Sequence, residues 1–389
     1  MGAALGYAFL LSAALFLFAE SSPQLDEAYY RAKKFLESYP VIDGHNDLAE
    51  QLREVFMNQV QTVDLTKNYS GADPKIYGPS WHTDIPRLKA GGFWSAYMGC
   101  SSQYADATRT FLDQIDVIRQ FIAQYSTVFK FATSADDIEQ AIAQGYIASM
   151  IGVEGGHAID SSLGTLRQLY QLGARYMTLT HTCDTPWAHS CVDPTPLGLN
   201  AFGVRVVYEM NRLGMLVDIS HVSNYTMSDV LDVSKAPVIF SHSSAYALCA
   251  NPRNVPDNIL VRMPQNGGIV MVNFYPYFVS CTANASYLQV ADHIDHIVKM
   301  AGVDHVGIGS DFDGITVVPV GLEDVSKYPN LFAELIRRGY SEGDLQKIAS
   351  QNLLRVLRAA EQVSQSLSDD QPDNTHIAPQ PNSTCRPDF

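Results

Sequence analysis

Basic residues are scarce in this chain. Its 389 residues hold 26 Lys and Arg against 41 Asp and Glu, a formal net charge of −15. Nucleic acids and acidic lipid surfaces are gripped by basic patches, so neither is an expected partner. Long apolar runs are scarce too. Residues 8–19 form the one near-continuous run, and Glu20-Ser21-Ser22-Pro23 ends it. A run this short cannot span a bilayer but fits the hydrophobic part of a signal peptide, so residues 1–19 are expected to be one, although no Lys or Arg precedes the run. The other end lacks the apolar tail that a lipid-anchor signal requires. Residues 366–389 are rich in Pro, Asn, Asp and Ser and read as a disordered tail. There is no internal repeat, and cysteine is limited to six residues.

These absences describe an extracellular chain, secreted or held at the cell surface, with any membrane attachment through a lipid anchor that this sequence does not encode. In that compartment disulfides persist. Four Asn-x-Ser/Thr triplets, at Asn68, Asn224, Asn284 and Asn382, become glycosylation sites.

Between the two ends, residues 20–365 read as one domain. Eight strand-like segments can be counted, at 41–47, 92–98, 147–154, 174–181, 214–221, 236–242, 268–275 and 304–311. Most are continuous apolar runs, as suits a parallel sheet buried on both faces. Helical periodicity fills most of the intervals; Phe111, Ile115, Ile118, Phe121 and Ile122 mark one helix. Gly173, Gly214, Gly302 and Gly339 fall where helices should close. Eight strands alternating with helices predict a (β/α)8 barrel of the TIM type. Two long connections, about 58–86 and 184–199, are rich in Pro or Gly, and such loops tend to cover sites.

Metal-ligand residue types cluster where the predicted strands end: His45 and Asp47, Glu154, His181, His221, His242 and Asp311. Active sites of such barrels lie at that end. A lone buried His is more often structural than a ligand. Four His, two Asp and one Glu closing successive strands on one face are a different case, and mixed imidazole and carboxylate donors suit Zn²⁺ or a similar ion. His45 and Asp47, two apart on a strand, would share one ion; His221 and His242 would hold a second, with Glu154 bridging. Two ions acidify a water between them and polarise a carbonyl. Asp311 on the last strand is then free to move the proton. Asp313 and His157 sit beside these residues and read as supporting groups.

At these residues a family resemblance emerges. Val41-Ile42-Asp43-Gly44-His45-Asn46-Asp47-Leu48, Ile151-Gly152-Val153-Glu154-Gly155-Gly156-His157 and Leu179-Thr180-His181-Thr182-Cys183-Asp184-Thr185-Pro186-Trp187 resemble motifs of the membrane (renal) dipeptidases. So do Ile219-Ser220-His221, Phe240-Ser241-His242-Ser243, Arg253-Asn254-Val255-Pro256-Asp257 and Gly309-Ser310-Asp311-Phe312-Asp313-Gly314. The likeness runs from about Tyr30 to Gln362, and Ser243-Ser244-Ala245-Tyr246 looks most like the family's founding member. It implies an amidohydrolase-like barrel with two Zn²⁺ per subunit. His45 and Asp47 match the ligands of one zinc, His221 and His242 those of the other, and Glu154 the bridge. His181 matches the residue that contacts substrate and steadies the oxyanion, Arg253 the one that takes the dipeptide carboxylate, and Asp311 the proton shuttle. The implied substrates are small dipeptides, including cysteinyl-glycine bonds such as that of leukotriene D4, and penem β-lactams.

The resemblance also implies pairing of Cys100 with Cys183 and Cys249 with Cys281, and a homodimer linked through Cys385. Cys191 is then left over, free or paired in some other way. Two readings compete. Many relatives on this barrel bridge their metals with a modified Lys, yet no Lys closes a predicted strand. A catalytically silent surface receptor with the same fold would have no need of every ligand position.

Overall fold

The computed structural model describes residues 26–72, 81–88, 91–97, 106–375 and 377. The strands are β1 (Ile42–Asn46), β2 (Gly91–Tyr97), β3 (Phe129–Phe131), β4 (Ile147–Glu154), β5 (Ala174–Thr178), β6 (Leu216–Asp218), β7 (Ile239–Phe240), β8 (Ile269–Val272) and β9 (Val306–Ile308). Eight follow one another in the order β1-β2-β4-β5-β6-β7-β8-β9, every pair parallel. The seam between first and last is closed by backbone bonds just past the strand ends: Asp47 N donates to Phe312 O at 2.8 Å and Asp311 N to His45 O at 3.2 Å. The expected barrel is therefore present. The ninth strand, β3, was not expected. Phe129 and Phe131 flank one lysine, too short a pattern to read, and β3 pairs only with the start of β4, before β2 takes over that edge.

The helices form where the apolar spacing placed them. Ala107–Gln124 turns Phe111, Ile115, Ile118, Phe121 and Ile122 inward. Ala201–Leu213 is capped by the Asn200 side chain and closed by Gly214 in the left-handed conformation. The helix expected from 341 to 362 is interrupted by a π-turn at Lys347–Gln351 and then runs as Asn352–Ser366. Asn352 at the join donates to the carbonyls of Val303 and Val306, tying it to the start of β9.

Small residues make the barrel narrow. A Cβ at Gly309 would overlap the Ser241 carbonyl oxygen, and one at Gly152 would overlap the Tyr176 ring. The ends of β1, β7 and β9 thus approach closely inside the barrel, and Tyr176 crosses it to reach His45.

Past the last helix the chain differs from the disordered tail expected from residue 366. Asp373 O accepts from Arg167 Nη1 at 2.8 Å, Asn374 Oδ1 accepts from Arg167 Nη2 at 3.1 Å, and the Asp373 carboxylate pairs with Arg205 at 3.5 Å. Arg167 also pairs with the buried Glu209 at 2.9 Å. The expected signal peptide, Cys100, Asn382 and Cys385 lie outside the described residues. No helix among the described residues is long and apolar enough to cross a membrane.

The close approach at Gly309 gives a stability test. Gly309→Ala should cost about 1–3 kcal/mol or more, because backbone rather than a mobile side chain must yield. Gly343→Ala, in the helix Glu342–Gln346 with no close neighbour, should instead be neutral or stabilise by up to about 1 kcal/mol. Urea denaturation of the two variants checks the contrast.

Candidate active site

Each candidate residue reaches the barrel mouth from the end of a different element. His45 lies on β1, and Glu154 is the last residue of β4. His181, His221, His242 and Asp311 follow β5, β6, β7 and β9. Asp47 departs from the expectation that it shares strand alternation with His45. It has left the strand and precedes the helix Leu48–Phe56, with φ −102°. Its amide bond to Phe312 turns the chain, and the turn rather than the pleat brings its carboxylate to His45. His221, Asp311 and Asp313 hold φ of 63°, 66° and 68°, a left-handed conformation that costs non-glycine residues energy and clusters at functional sites.

Glu154 is the hub. Its Oε1 lies 3.0 Å from His221 Nε2 and 3.1 Å from His242 Nε2, and its Oε2 lies 3.4 Å from His45 Nε2. His45 Nε2 is also 3.1 Å from Asp47 Oδ2 and 4.0 Å from Asp311 Oδ1. The Nε2 atoms of His221 and His242 are 2.9 Å apart. Three overlapping groups, His45–Glu154–His242, Glu154–His181–His221 and His45–Asp47–Asp311, each have donor atoms within 4.8 Å of one another.

The donor set fits metal ions. Among the described residues, His45 Nε2 and Asp47 Oδ1 are buried without a hydrogen bond. His221 and His242 aim their Nε2 atoms at each other and at one carboxylate oxygen, although burial, with Arg253 adding to it, holds both well below the usual imidazole range. His45 is the opposite: burial resists its protonation, but Asp47 and Glu154 outweigh that and hold it well above. Three buried carboxylates thus draw a positive charge onto the cluster, which a divalent cation supplies.

Neighbouring groups orient the donors. Asp218 Oδ2 accepts from Ser241 Oγ at 2.6 Å and Thr178 Oγ1 at 2.5 Å, and Asp218 Oδ1 accepts from the amides of Ser220 and Ser241. With its proton given to Asp218, Ser241 Oγ accepts from His242 Nδ1 at 2.8 Å, leaving the Nε2 lone pair for the cluster. The Tyr176 hydroxyl, 2.9 Å from His45 Nδ1, directs that ring in the same way. Asp43 accepts from the amides of His45 and Ser310 and from the Tyr328 hydroxyl. Asn273, just past β8, donates to Asp311 Oδ2 at 2.8 Å. None of Asp43, Tyr176, Asp218 and Asn273 stood out in the sequence. Their one signal was a polar group inside or ending an apolar run.

Asp311 is pushed up to about 8 by burial and by Asp47 and Glu154, with His45 opposing. His181 is held down at about 4 by burial, with Arg253 adding to it, and is therefore neutral near pH 7; its Nδ1 lies 3.2 Å from Thr182 Oγ1 and its ring packs on His221. Arg253 is buried over Phe278, with its guanidinium 5.2 Å from the ring centroid. It donates to His242 O at 3.1 Å and Ser243 Oγ at 3.3 Å, and its Nε has no partner among the described residues. The Cys249–Cys281 disulfide ties the loop carrying Arg253 to the segment just past the short helix Pro276–Val279, which carries Phe278, and Asn254 reinforces it by donating to the carbonyls of Cys249 and Phe278. These residues surround a cavity of about 250 Å³ that opens onto Glu154, His181, His221, Arg253 and Asp311.

Other candidates stand aside. Asp313 exchanges backbone-level bonds with His82: its Oδ1 accepts from His82 N at 2.7 Å, and its own N donates to His82 Nδ1 at 2.9 Å. His157 lies 3.1 Å from Cys183 Sγ, and Cys183 is disulfide-bonded. Cys191 is a free thiol whose amide donates to His221 O. Asn68, Asn224 and Asn284 are exposed.

A parallel barrel whose mouth gathers buried imidazoles and carboxylates around one cavity has the build of a metal-dependent hydrolase. The chain belongs to the membrane dipeptidase family (peptidase family M19), whose profile matches residues 29–371. Dipeptidase 3 of Mus musculus is 45% identical over 353 residues, covering 88% of this chain and 68% of that protein. Dipeptidase 3 of Macaca fascicularis is 46% identical over 343 residues, covering 86% and 67%. A metallopeptidase from Rhodobacter sphaeroides, crystallised with a phosphinate mimic of the dipeptide L-Ala-D-Ala, has a TM-score of 0.75 at 28% identity over 83% of this chain and 99% of its own.

The His82–Asp313 pair yields a pH test. Burial, with Arg87 adding to it, lowers His82 from 6.5 to about 4. The unfolded chain therefore takes up this proton first as pH falls. The His82 contribution is present above pH 6.5 and is lost as pH drops from 6.5 toward 4, while Asp313, pushed up to about 7 by burial, takes up its proton in the folded chain over the same window and offsets that loss. His82→Asn should leave the Asp313 contribution unopposed, so that stability changes more favourably as pH falls through that window than in wild type; equal slopes by urea denaturation would remove His82 from the account.

Proposed function

We propose that the chain is a zinc-dependent dipeptidase with two Zn²⁺ per subunit. The observation that carries this is the Glu154 carboxylate, one oxygen turned to His221 and His242 and the other to His45. His45 and Asp47 would hold one ion, His221 and His242 the other, with Glu154 shared. When bound, the ions supply Lewis acidity toward the scissile carbonyl and make a coordinated water more acidic.

The chain's own residues supply the rest. Asp311 takes the proton of the attacking water at Oδ1 and returns it to the leaving amine, while Asn273 fixes Oδ2; its raised pKa suits both directions of transfer. His181, neutral and buried, donates an N–H to the developing oxyanion. Arg253 pairs with the free C-terminal carboxylate of the dipeptide. A charged anchor one residue beyond the scissile bond makes the enzyme a dipeptidase and excludes longer chains. Support for the substrate class comes from family membership and from the dipeptide mimic in the Rhodobacter relative. Cysteinyl-glycine bonds, as in leukotriene D4, and penem β-lactams belong to the proposed range. We also assign the protein to the extracellular side, glycosylated at Asn68, Asn224, Asn284 and Asn382, and linked as a homodimer through Cys385.

The direct test joins metal content to turnover. Zinc near two per chain, hydrolysis of a dipeptide, and no cleavage of the matching tripeptide or dipeptide amide are expected; metal without turnover would favour a silent receptor. Glu154→Gln should fold but lose affinity for both ions, measured by metal analysis after dialysis. Asp311→Asn should keep its metal and lower kcat by about 10²-fold or more. A variant that instead lost zinc would make Asp311 a ligand.

A further inference from the structure

One fully buried histidine takes no part in the proposed chemistry. His293 lies on the helix Tyr287–Ala301 and is 1% exposed. Both of its ring nitrogens are used. Nδ1 accepts from the Ala245 amide at 2.9 Å, and Nε2 donates to the Val279 carbonyl at 2.8 Å. A backbone N–H can only donate and a carbonyl can only accept, so the two bonds require the neutral ring with its proton on Nε2. Burial favours that form and holds the ring below the usual imidazole range.

Its two partners belong to the two segments that place Arg253. Ala245 is bridged to Val255, two residues past Arg253: Tyr246 N donates to Val255 O at 2.9 Å, and Val255 N donates to Ser244 O at 2.8 Å. Ser243, two residues before Ala245, accepts from the Arg253 guanidinium. Val279 ends the short helix Pro276–Val279, and its neighbour Phe278 carries that guanidinium over its ring. The imidazole therefore links the segment that holds the Arg253 backbone to the segment that packs against its charge. The Cys249–Cys281 disulfide and Asn254 join the same segments at other points. A guanidinium fork meets both oxygens of a carboxylate in one orientation, so its value depends on how firmly that orientation is held.

We infer that His293 is a positioning residue for substrate recognition, locking the Ala245 and Val279 segments together so that Arg253 is pre-set for the C-terminal carboxylate of a dipeptide. The inference rests on the dipeptidase reading and adds to it a residue that lies outside the cavity lining and acts only through Arg253.

The test uses metal-loaded full-length protein and two probes titrated by calorimetry: a phosphinate dipeptide mimic with a free C-terminal carboxylate, and the same mimic as its C-terminal amide. Wild type should prefer the carboxylate form. His293→Gln can keep an N–H toward Val279 but loses the acceptor for Ala245. It should weaken the carboxylate form by about tenfold and the amide form by no more than about twofold, with zinc content equal to wild type. His293→Asn keeps an acceptor for Ala245 and loses the Val279 bond; it should show a smaller loss of the same kind, and it carries the comparison if His293→Gln fails to fold. In hydrolysis both variants should raise KM for a dipeptide more than they lower kcat. In an Arg253→Met background, His293→Gln should have no further effect on either probe. Equal weakening of both probes, an unchanged preference, or a loss that persists undiminished without Arg253 overturns the inference and leaves His293 a brace of the fold alone. A wild type that cleaves no dipeptide and binds neither probe defeats the dipeptidase reading itself. A wild type that cleaves dipeptides, with the full carboxylate preference kept in the His293 variants, defeats only the role of His293.

Discussion

The arrangement around Glu154 constrains everything else in this molecule. One carboxylate is buried at the barrel mouth and shared among His45, His221 and His242, with Asp47 and Asp311 close by. Charges this close and this dry are unfavourable unless each is met by an opposite charge and fixed hydrogen bonds. The surrounding structure meets that demand with fixed partners. Asp218 reaches His242 through Ser241, Tyr176 reaches His45 across the barrel, and Asn273 holds Asp311. The glycines at 152 and 309 leave the room that these approaches need. The cluster keeps an appetite for positive charge, the property that a metallopeptidase requires of its apoprotein.

The barrel supplies position and the loops supply selection. Parallel strands deliver one side chain each to the same rim, so the cluster is set by the sheet. Arg253 belongs to a loop and Phe278 to the short helix Pro276–Val279 that follows β8, and a disulfide and Asn254 bind the two segments together.

Much of this was legible in the sequence. Most of the eight main strands are continuous apolar runs because a parallel sheet in a barrel is buried on both faces, and six of them end at a residue that has no other reason to interrupt such a run. That is why His45, Glu154, His181, His221, His242 and Asp311 could be named before any coordinates. The strand Phe129–Phe131 escaped because three residues carry no periodicity. The ordered strap at Asp373 and Asn374 escaped because its polar composition resembles that of a free tail, while the arginines that hold it lie far away in the chain.

By itself the sequence determined the fold class, the family and which side chains gather at the rim, since all three follow from local pattern and residue type. Only the tertiary structure decided how those side chains meet. Asp47 reaches His45 through a turn pinned by Phe312 rather than along the strand, and Asp313 turns away to His82 although it stands two residues from Asp311. Asp218 and Asn273 acquire their places from neighbours distant in the chain. The reason is that hydrogen bonds, burial and electrostatic fields depend on separation in space, and composition and spacing along the chain fix that separation only within a single element.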